Sequence, residues 1–177
     1  MINIYGAIRS GAENASLFLE ELSTQSKKYN IVLQAMNADM IYSKRHILSG
    51  TEHAIRALRE NRNTMSTLAM ELLLYIAGER QIKLAIDKIG VKNNTKKIAL
   101  VSISDLSDIT EARGRISSRD IKNIFNLLKL EHDDSVLKGN KQTLIRFGLP
   151  MKEIETVSED KYEGLILEKV AMVDIIK

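Results

Sequence analysis

Between Leu72 and Ile86 the sequence reads LLLYIAGERQIKLAI, two apolar stretches separated by Gly78, Glu79, Arg80 and Gln81. Glycine suits the left-handed residue that ends a helix. A second helix starting two or three residues later brings unpaired backbone N–H groups and the positive end of its dipole beside Arg80. That is the outline of an anion site. Arg80 adds a planar, permanently charged fork, and Gln81 adds a donor and an acceptor able to read a phosphate or a nucleotide edge. Glu79 has two competing uses, capping the second helix or pairing with Arg80.

A second constellation lies upstream. His46, Gly50, His53 and Ala57 succeed one another at spacings of four, three and four, so on a helix they share one flank. Two small residues alternating with two histidines make a shallow trough, fit either for a ring or base or for a closely packed neighbouring helix. Seven residues place the histidines two turns apart, about 10 Å along the axis, too far for one metal ion.

Catalytic signatures are missing. The chain has no Walker-type glycine loop, dinucleotide fingerprint, nucleophile elbow or kinase catalytic loop. His46, His53, Glu52 and Asp39 can be imagined as acid and base, yet such residues are common on solvated helices. With no cysteine, disulfides, iron-sulfur clusters and a thiol nucleophile are excluded. Aromatic content of 5% argues against a broad base-stacking sheet. No cofactor is expected.

The elements that would position these residues can be read in outline. A chain of 177 residues, 44% hydrophobic and with one proline, predicts a single domain over residues 1–177. The start lacks a charged leader and no apolar run approaches the ~20 residues of a membrane span, so a soluble, cytoplasmic protein with no membrane partner is expected. Charge is uneven: residues 37–97 hold 11 Lys and Arg against 6 Asp and Glu, leaving 15 against 17 elsewhere. That local excess fits either an anionic partner or a solvated helical face.

Ile2, Ile4 and Ile8 around Gly6, Ile31 to Met36, and a run ending at Ile103 read as strands. Helices are predicted from Ala12 to Tyr29 with Asn14 as cap, from Ser43 to about Asn61, and from Met65 to Ala77 opened by Thr64 or Ser66. Further helices cover the Ile82, Ala85, Ile86, Ile89 stripe, the stretch RDIKNIFNLLKL, and NKQTLIRFGLP up to Gly148 and Pro150. SDITEARGRISS reads as loop and MKEIETV is ambiguous. The last helix, capped by Ser158, has Leu165, Ile166, Leu167, Val170, Met172 and Val173 pointing most ways round, which asks for burial on two sides. The fold class is α/β, of the α+β kind, mostly helical around a small sheet.

Three stretches, QAMNADMIYSKRHILSGTEHAIRAL, ELLLYIAGERQIKLAIDKIGV and LILEKVAMVDI, resemble in order the small kinase-binding subunit of the archaeal and eukaryotic KEOPS complex, with YIAGERQI the most specific part. The resemblance implies a non-catalytic subunit of the machine that installs threonylcarbamoyl-adenosine in tRNA. Such a subunit binds the complex's kinase-like ATPase and captures tRNA, not DNA, through its single-stranded 3′ CCA end. It further implies RNA-binding roles for Asn37, Lys44, His46, His53, Gly78, Arg80 and Gln81, with Arg45 beside them. Leu165, Leu167, Val170 and Val173 are the expected kinase contact. Two other functions compete: a protein-only regulator that activates the kinase-like partner, and an enzyme using His46 or His53 as base.

Overall fold

The computed structural model describes residues 1–10, 14–106, 108 and 112–176. In chain order the elements are β1 (Ile2–Arg9), α1 (Ala15–Tyr29), β2 (Val32–Asn37), α2 (Lys44–Arg59), α3 (Leu68–Ala77), α4 (Ile82–Ile89), β3 (Lys97–Ile103), α5 (Ser118–Leu127), β4 (Leu130–His132), α6 (Lys141–Phe147), α7 (Met151–Ile154) and α8 (Tyr162–Ile176). Single 3-10 turns occupy Ala38–Met40, Asp134–Leu137 and Glu159–Lys161. The class is α+β. Backbone packing groups residues 1–37 with 91–136 and residues 38–90 with 137–177. Each unit joins two separate segments, so no single cut in the sequence divides them.

The first unit holds the sheet. Its strand order is β2-β3-β1-β4, and every pairing is antiparallel, with Ile4 opposite Val101 and Gln34 also opposite Val101. β1 and β2 therefore run in the same direction without touching, because β3 lies between them. Asn14 caps α1 by accepting the Ser16 N–H, as its position predicts. Phe18 and Leu22 of α1 and Ile121, Ile124 and Phe125 of α5 cover Ala7, Leu33, Ala35, Ile98 and Leu100 of the strands. This is the period of 3.6 in the helices meeting the period of 2 in the strands.

The second unit is helical. Every residue of α3 from Glu71 to Ala77 is buried, because α2, α4 and α8 all pack on it. α2 contributes Ile47, Ala54 and Ile55, and α8 contributes Ile166, Val170 and Val173. Leu144 and Phe147 of α6, with Ile154, Tyr162 and Leu165, form a smaller cluster beside them.

Several expected boundaries move. α3 starts at Leu68 with Thr67 as cap, not at Thr64 or Ser66. The buried Glu71 carboxylate accepts the N–H groups of Thr64 and Met65 at 3.0 and 2.8 Å, which holds that approach as a turn. The helix predicted over RDIKNIFNLLKL ends at Leu127, because Lys129 takes φ 52° and Leu130 to His132 pair with β1 as β4. Ser117, with Asp120, forms the capping box that starts α5. Ser158 makes no cap bond; a 3-10 turn intervenes, and α8 starts at Tyr162. On α4, Ala85 and Ile89 face the core while Ile86 is 42% exposed. The expected helix start at Ala12, and Ser107 and Ile109 to Glu111 of the expected loop, lie outside the described residues.

Candidate nucleic-acid interface

α2 begins where Ser43 accepts the His46 N–H at 3.0 Å. Its flank of small residues is filled by the protein itself. A Cβ on Gly50 would stand 2.6 Å from Ile76 Cγ1 and 3.0 Å from the Ile76 backbone nitrogen, so the glycine is what lets α3 approach. His46 is fully buried in the same seam. Its Nδ1 lies 3.3 Å from the Tyr42 N–H and its Nε2 2.8 Å from the Ile76 carbonyl oxygen, an arrangement that assigns the neutral tautomer with hydrogen on Nε2. Burial drives its pKa down to about 4, with the Ile76 hydrogen bond opposing and Lys88 assisting. The expected contact of His46 with RNA is thereby corrected: no atom of this ring is accessible, and the close-packing alternative for the flank is the one realised.

His53, two flank positions on from His46, is partly exposed but committed. Its Nδ1 is 2.6 Å from Asp174 Oδ2, and its ring stacks on Tyr75 with centroids 5.7 Å apart. Arg56 reaches the same carboxylate oxygen at 2.8 Å, and Tyr75 donates its hydroxyl hydrogen to the other at 2.6 Å. Burial of Asp174 would raise its pKa, yet the bonds from Tyr75, His53 and Arg56 prevail and hold it well below the usual carboxylate range. Burial and the Asp174 bond push the Tyr75 hydroxyl far up. This cluster ties α8 to α2 and α3. Asp174 carries no sequence signal, since its three partners are 99 to 121 residues away.

The turn between α3 and α4 is different. Gly78 takes φ 64° and returns its N–H to Leu74 and Tyr75 carbonyls, the predicted helix stop. Glu79 neither caps α4 nor pairs with Arg80: its carboxylate meets the Lys88 ammonium at 3.0 Å. Lys88 also donates to the Ala77 carbonyl at 2.8 Å, satisfying an orphan acceptor at the end of α3, and lies 3.8 Å from the centre of the Phe147 ring. Burial lowers the pKa of this ammonium, with Glu79 opposing. Arg80 is exposed and has no hydrogen-bond or ion-pair partner among the described residues. Gln81 is the N-cap residue of α4 but makes no capping bond, so its side chain is uncommitted and the first amides of α4 lack a side-chain cap. Sequence spacing offers no hint of Lys88, which sits nine residues from the carboxylate it removes.

The remaining expected residues scatter. Lys44 and Arg45 are exposed in the first turn of α2, where Arg45 makes a long 3.4 Å contact with Glu163. Asn37 ends β2, half-buried, in the unit that carries the sheet. Leu165, Val170 and Val173 are buried in their own unit, so the expected kinase contact is corrected at these three; core packing absorbs them. Leu167 is half-buried, and in line with it along α8 stand Ala171, exposed, and Ile175, 74% exposed. Among the described residues no three His, Cys, Asp or Glu side chains gather closely enough to hold a metal ion, and no helix is long and apolar enough to cross a membrane.

Comparison with known proteins accounts for the motifs. The family model for the kinase binding protein CGI-121 matches residues 10–174. The regulatory protein Cgi121 of Methanocaldococcus jannaschii is 30% identical over 146 residues, covering 81% of this chain and 84% of that protein. A KEOPS complex subunit Cgi121 from Pyrococcus abyssi is 30% identical over 127 residues, 71% of this chain and 72% of that one. The EKC/KEOPS complex subunit CGI121 of Coccidioides immitis is 24% identical across 60% of this chain and 51% of its own length. With the family pattern running through both units and 30% identity spanning most of an archaeal relative, this chain belongs to the CGI-121 family of kinase binding proteins.

Proposed function

We propose that the chain is a non-catalytic subunit of a KEOPS tRNA-modification complex, which docks on the kinase-like ATPase and captures tRNA by its single-stranded 3′ CCA end at the α3–α4 turn. The observation that carries the reading is the state of Arg80: exposed, without a partner among the described residues, and set directly before a helix start with no side-chain cap, while Lys88 has drawn off the one adjacent carboxylate. Such a turn offers amide hydrogens and a guanidinium to a phosphate, and the uncommitted Gln81 to a base edge. Gly78 keeps the turn tight. Lys44 and Arg45 supply exposed charge for neighbouring phosphates, since a 3.4 Å ion pair at an exposed arginine is a weak competitor. Asn37, in the unit that carries the sheet, enters as a separate base-edge contact, and His53 enters through the ring edge that Asp174 does not hold; His46 does not enter.

For the kinase, the proposed contact is the line of Leu167, Ala171 and Ile175 on α8, spaced by four, with Leu167 half-buried and the other two exposed. That face equally supports the second reading, a protein-only regulator. One measurement separates them: binding of the purified protein to tRNA with and without its CCA, beside a pull-down of the kinase-like subunit. RNA capture predicts that most affinity disappears with the CCA. Kinase binding without tRNA affinity in either form establishes the regulator instead.

A further inference from the structure

Residues 112–119, ARGRISSR, are not used by the site above, and they lie in the unit that carries the sheet. The segment alternates. Ala112 is buried and Gly114 and Ile116 are half-buried, with Ile116 packed on the sheet's core, while Arg113, Arg115 and Ser117 are exposed. In extended chain, residues two apart share a face and stand about 7 Å from each other, so Arg113 and Arg115 project from one side. The segment is clamped. Gly114 donates its N–H to the Asn30 carbonyl at 2.8 Å, and a Cβ there would fall 1.8 Å from the Tyr29 carbonyl oxygen. Only glycine permits that approach, which sets the backbone between the two arginines against the end of α1.

The end of α1 is itself basic. Lys27 and Lys28 occupy its last turn, and the Lys28 ammonium lies 5.1 Å from the centre of the Tyr29 ring. Lys28 is also close enough to Asp120, in the first turn of α5, to lower its pKa behind the larger effect of the Ser117 bonds. Arg119 stands next to Asp120. Lys27, Lys28, Arg113, Arg115 and Arg119 thus gather at one corner. All five are exposed, and apart from Lys28 none has a side-chain hydrogen-bond or ion-pair partner among the described residues. The Asp120 carboxylate is taken up by the Ser117 N–H and hydroxyl at 2.9 and 2.6 Å, and the Asp105 N–H meets the segment at the Gly114 carbonyl.

We propose that this corner binds the phosphate backbone of RNA, as a second contact for the tRNA whose CCA end the α3–α4 turn receives. It rests on that reading of the partner. A protein occupant is disfavoured because, among the described residues, no large apolar side chain is exposed in the corner; those of this unit are Met1, Leu17, Leu19 and Leu127. Protein interfaces are built around an apolar core, whereas phosphate contacts need only accessible cations on a rigid support. Exposed guanidinium groups on two residues that share one side of the chain meet that need.

The test uses the full chain, with Arg113→Gln, Arg115→Gln and Arg119→Gln combined, against three probes: a tRNA ending in CCA, the same tRNA lacking CCA, and a short single-stranded RNA ending in CCA. Expected is a roughly tenfold loss of affinity for the whole tRNA and a salt slope shallower by about 2 to 3, as three fewer phosphate contacts dictate, with the short RNA bound as before. The triple arginine-to-lysine variant should restore most of the slope. Unchanged tRNA affinity and slope overturn the proposal, and so does an equal loss on the short RNA, which would place the arginines in the CCA site. If CCA removal has no effect on the wild type while the glutamine variant still loses tRNA, the CCA reading fails and the corner stands. A wild type that binds no tRNA overturns both.

Discussion

The flank of α2 and the turn between α3 and α4 use similar materials to opposite ends. Each sets glycine among polar and cationic residues. On α2 the glycine serves a neighbouring helix: Ile76 enters the space over Gly50, and His46 gives both ring nitrogens to backbone groups. At the turn the glycine serves the chain's own reversal, and Arg80 and Gln81 beyond it are left to solvent. The difference lies in how the charges are settled. Asp174 collects Tyr75, His53, Arg56 and, at 3.5 Å, Arg62, so the polar groups over α2 answer one another. At the turn Lys88 answers Glu79 and thereby leaves Arg80 unanswered. Satisfied polar groups make structure, and a cation left over makes an address for an anion.

If the α2 side is structural, breaking it must cost stability. The largest effect is expected from Asp174→Ala, which strands the Tyr75 hydroxyl and leaves His53 and Arg56 facing each other without their carboxylate. Removing the anion from a mostly buried cluster costs about 4 kcal/mol. Urea unfolding at pH 7 measures it, and a loss under about 1 kcal/mol would show that the cluster is incidental.

His46 provides the second test. Its folded pKa near 4 lies below the 6.5 of a free histidine. Between those values the unfolded chain takes up a proton that the folded chain refuses, so stability falls as pH drops from 6.5 to 4 and this contribution is flat below. The full depression is worth on the order of 3 kcal/mol. Unfolding free energies at pH 7, 5.5 and 4 should therefore decline more steeply in the wild type than in His46→Gln; parallel declines would mean the ring is charged or accessible. A smaller cost, about 2 kcal/mol, is expected for Gly50→Ala, because the added methyl meets Ile76 backbone atoms that cannot rotate away. A stability within about 0.5 kcal/mol of wild type would mean that the two helices part easily.

Most of the elements were legible because their signals are local. Asn14 and Ser43 cap as their positions predict, and Gly78 and Gly148 take the left-handed conformation that stops a helix. What escaped depends on partners distant in sequence. β4 is three residues long and exists through its pairing with β1, more than 120 residues earlier. Helical spacing put His46 and His53 on one flank but could not say which neighbour covers it, and Ile76 decides that from another helix. For α8, apolar residues on every side matched both core and partner burial. The core took Leu165, Val170 and Val173, and left Leu167 half-buried and Ala171 and Ile175 exposed.

The smallest expected effect on stability sharpens the comparison most. Arg80→Glu replaces an exposed cation that has no partner among the described residues, so unfolding should stay within about 0.5 kcal/mol of wild type. A carboxylate just before a helix start is even favourable to its dipole. Placed where a phosphate is proposed to sit, however, the same carboxylate repels it and competes for the uncapped amides of α4. Affinity for a CCA-ended RNA should fall at least tenfold, with kinase binding retained. Glu79→Gln works in the opposite sense, since it removes a negative charge near the turn but releases Lys88, and its effect on RNA affinity should be smaller. Loss of stability in Arg80→Glu with RNA affinity intact would invert the assignment, making the turn the structural region and sending the search for the RNA site elsewhere on the chain.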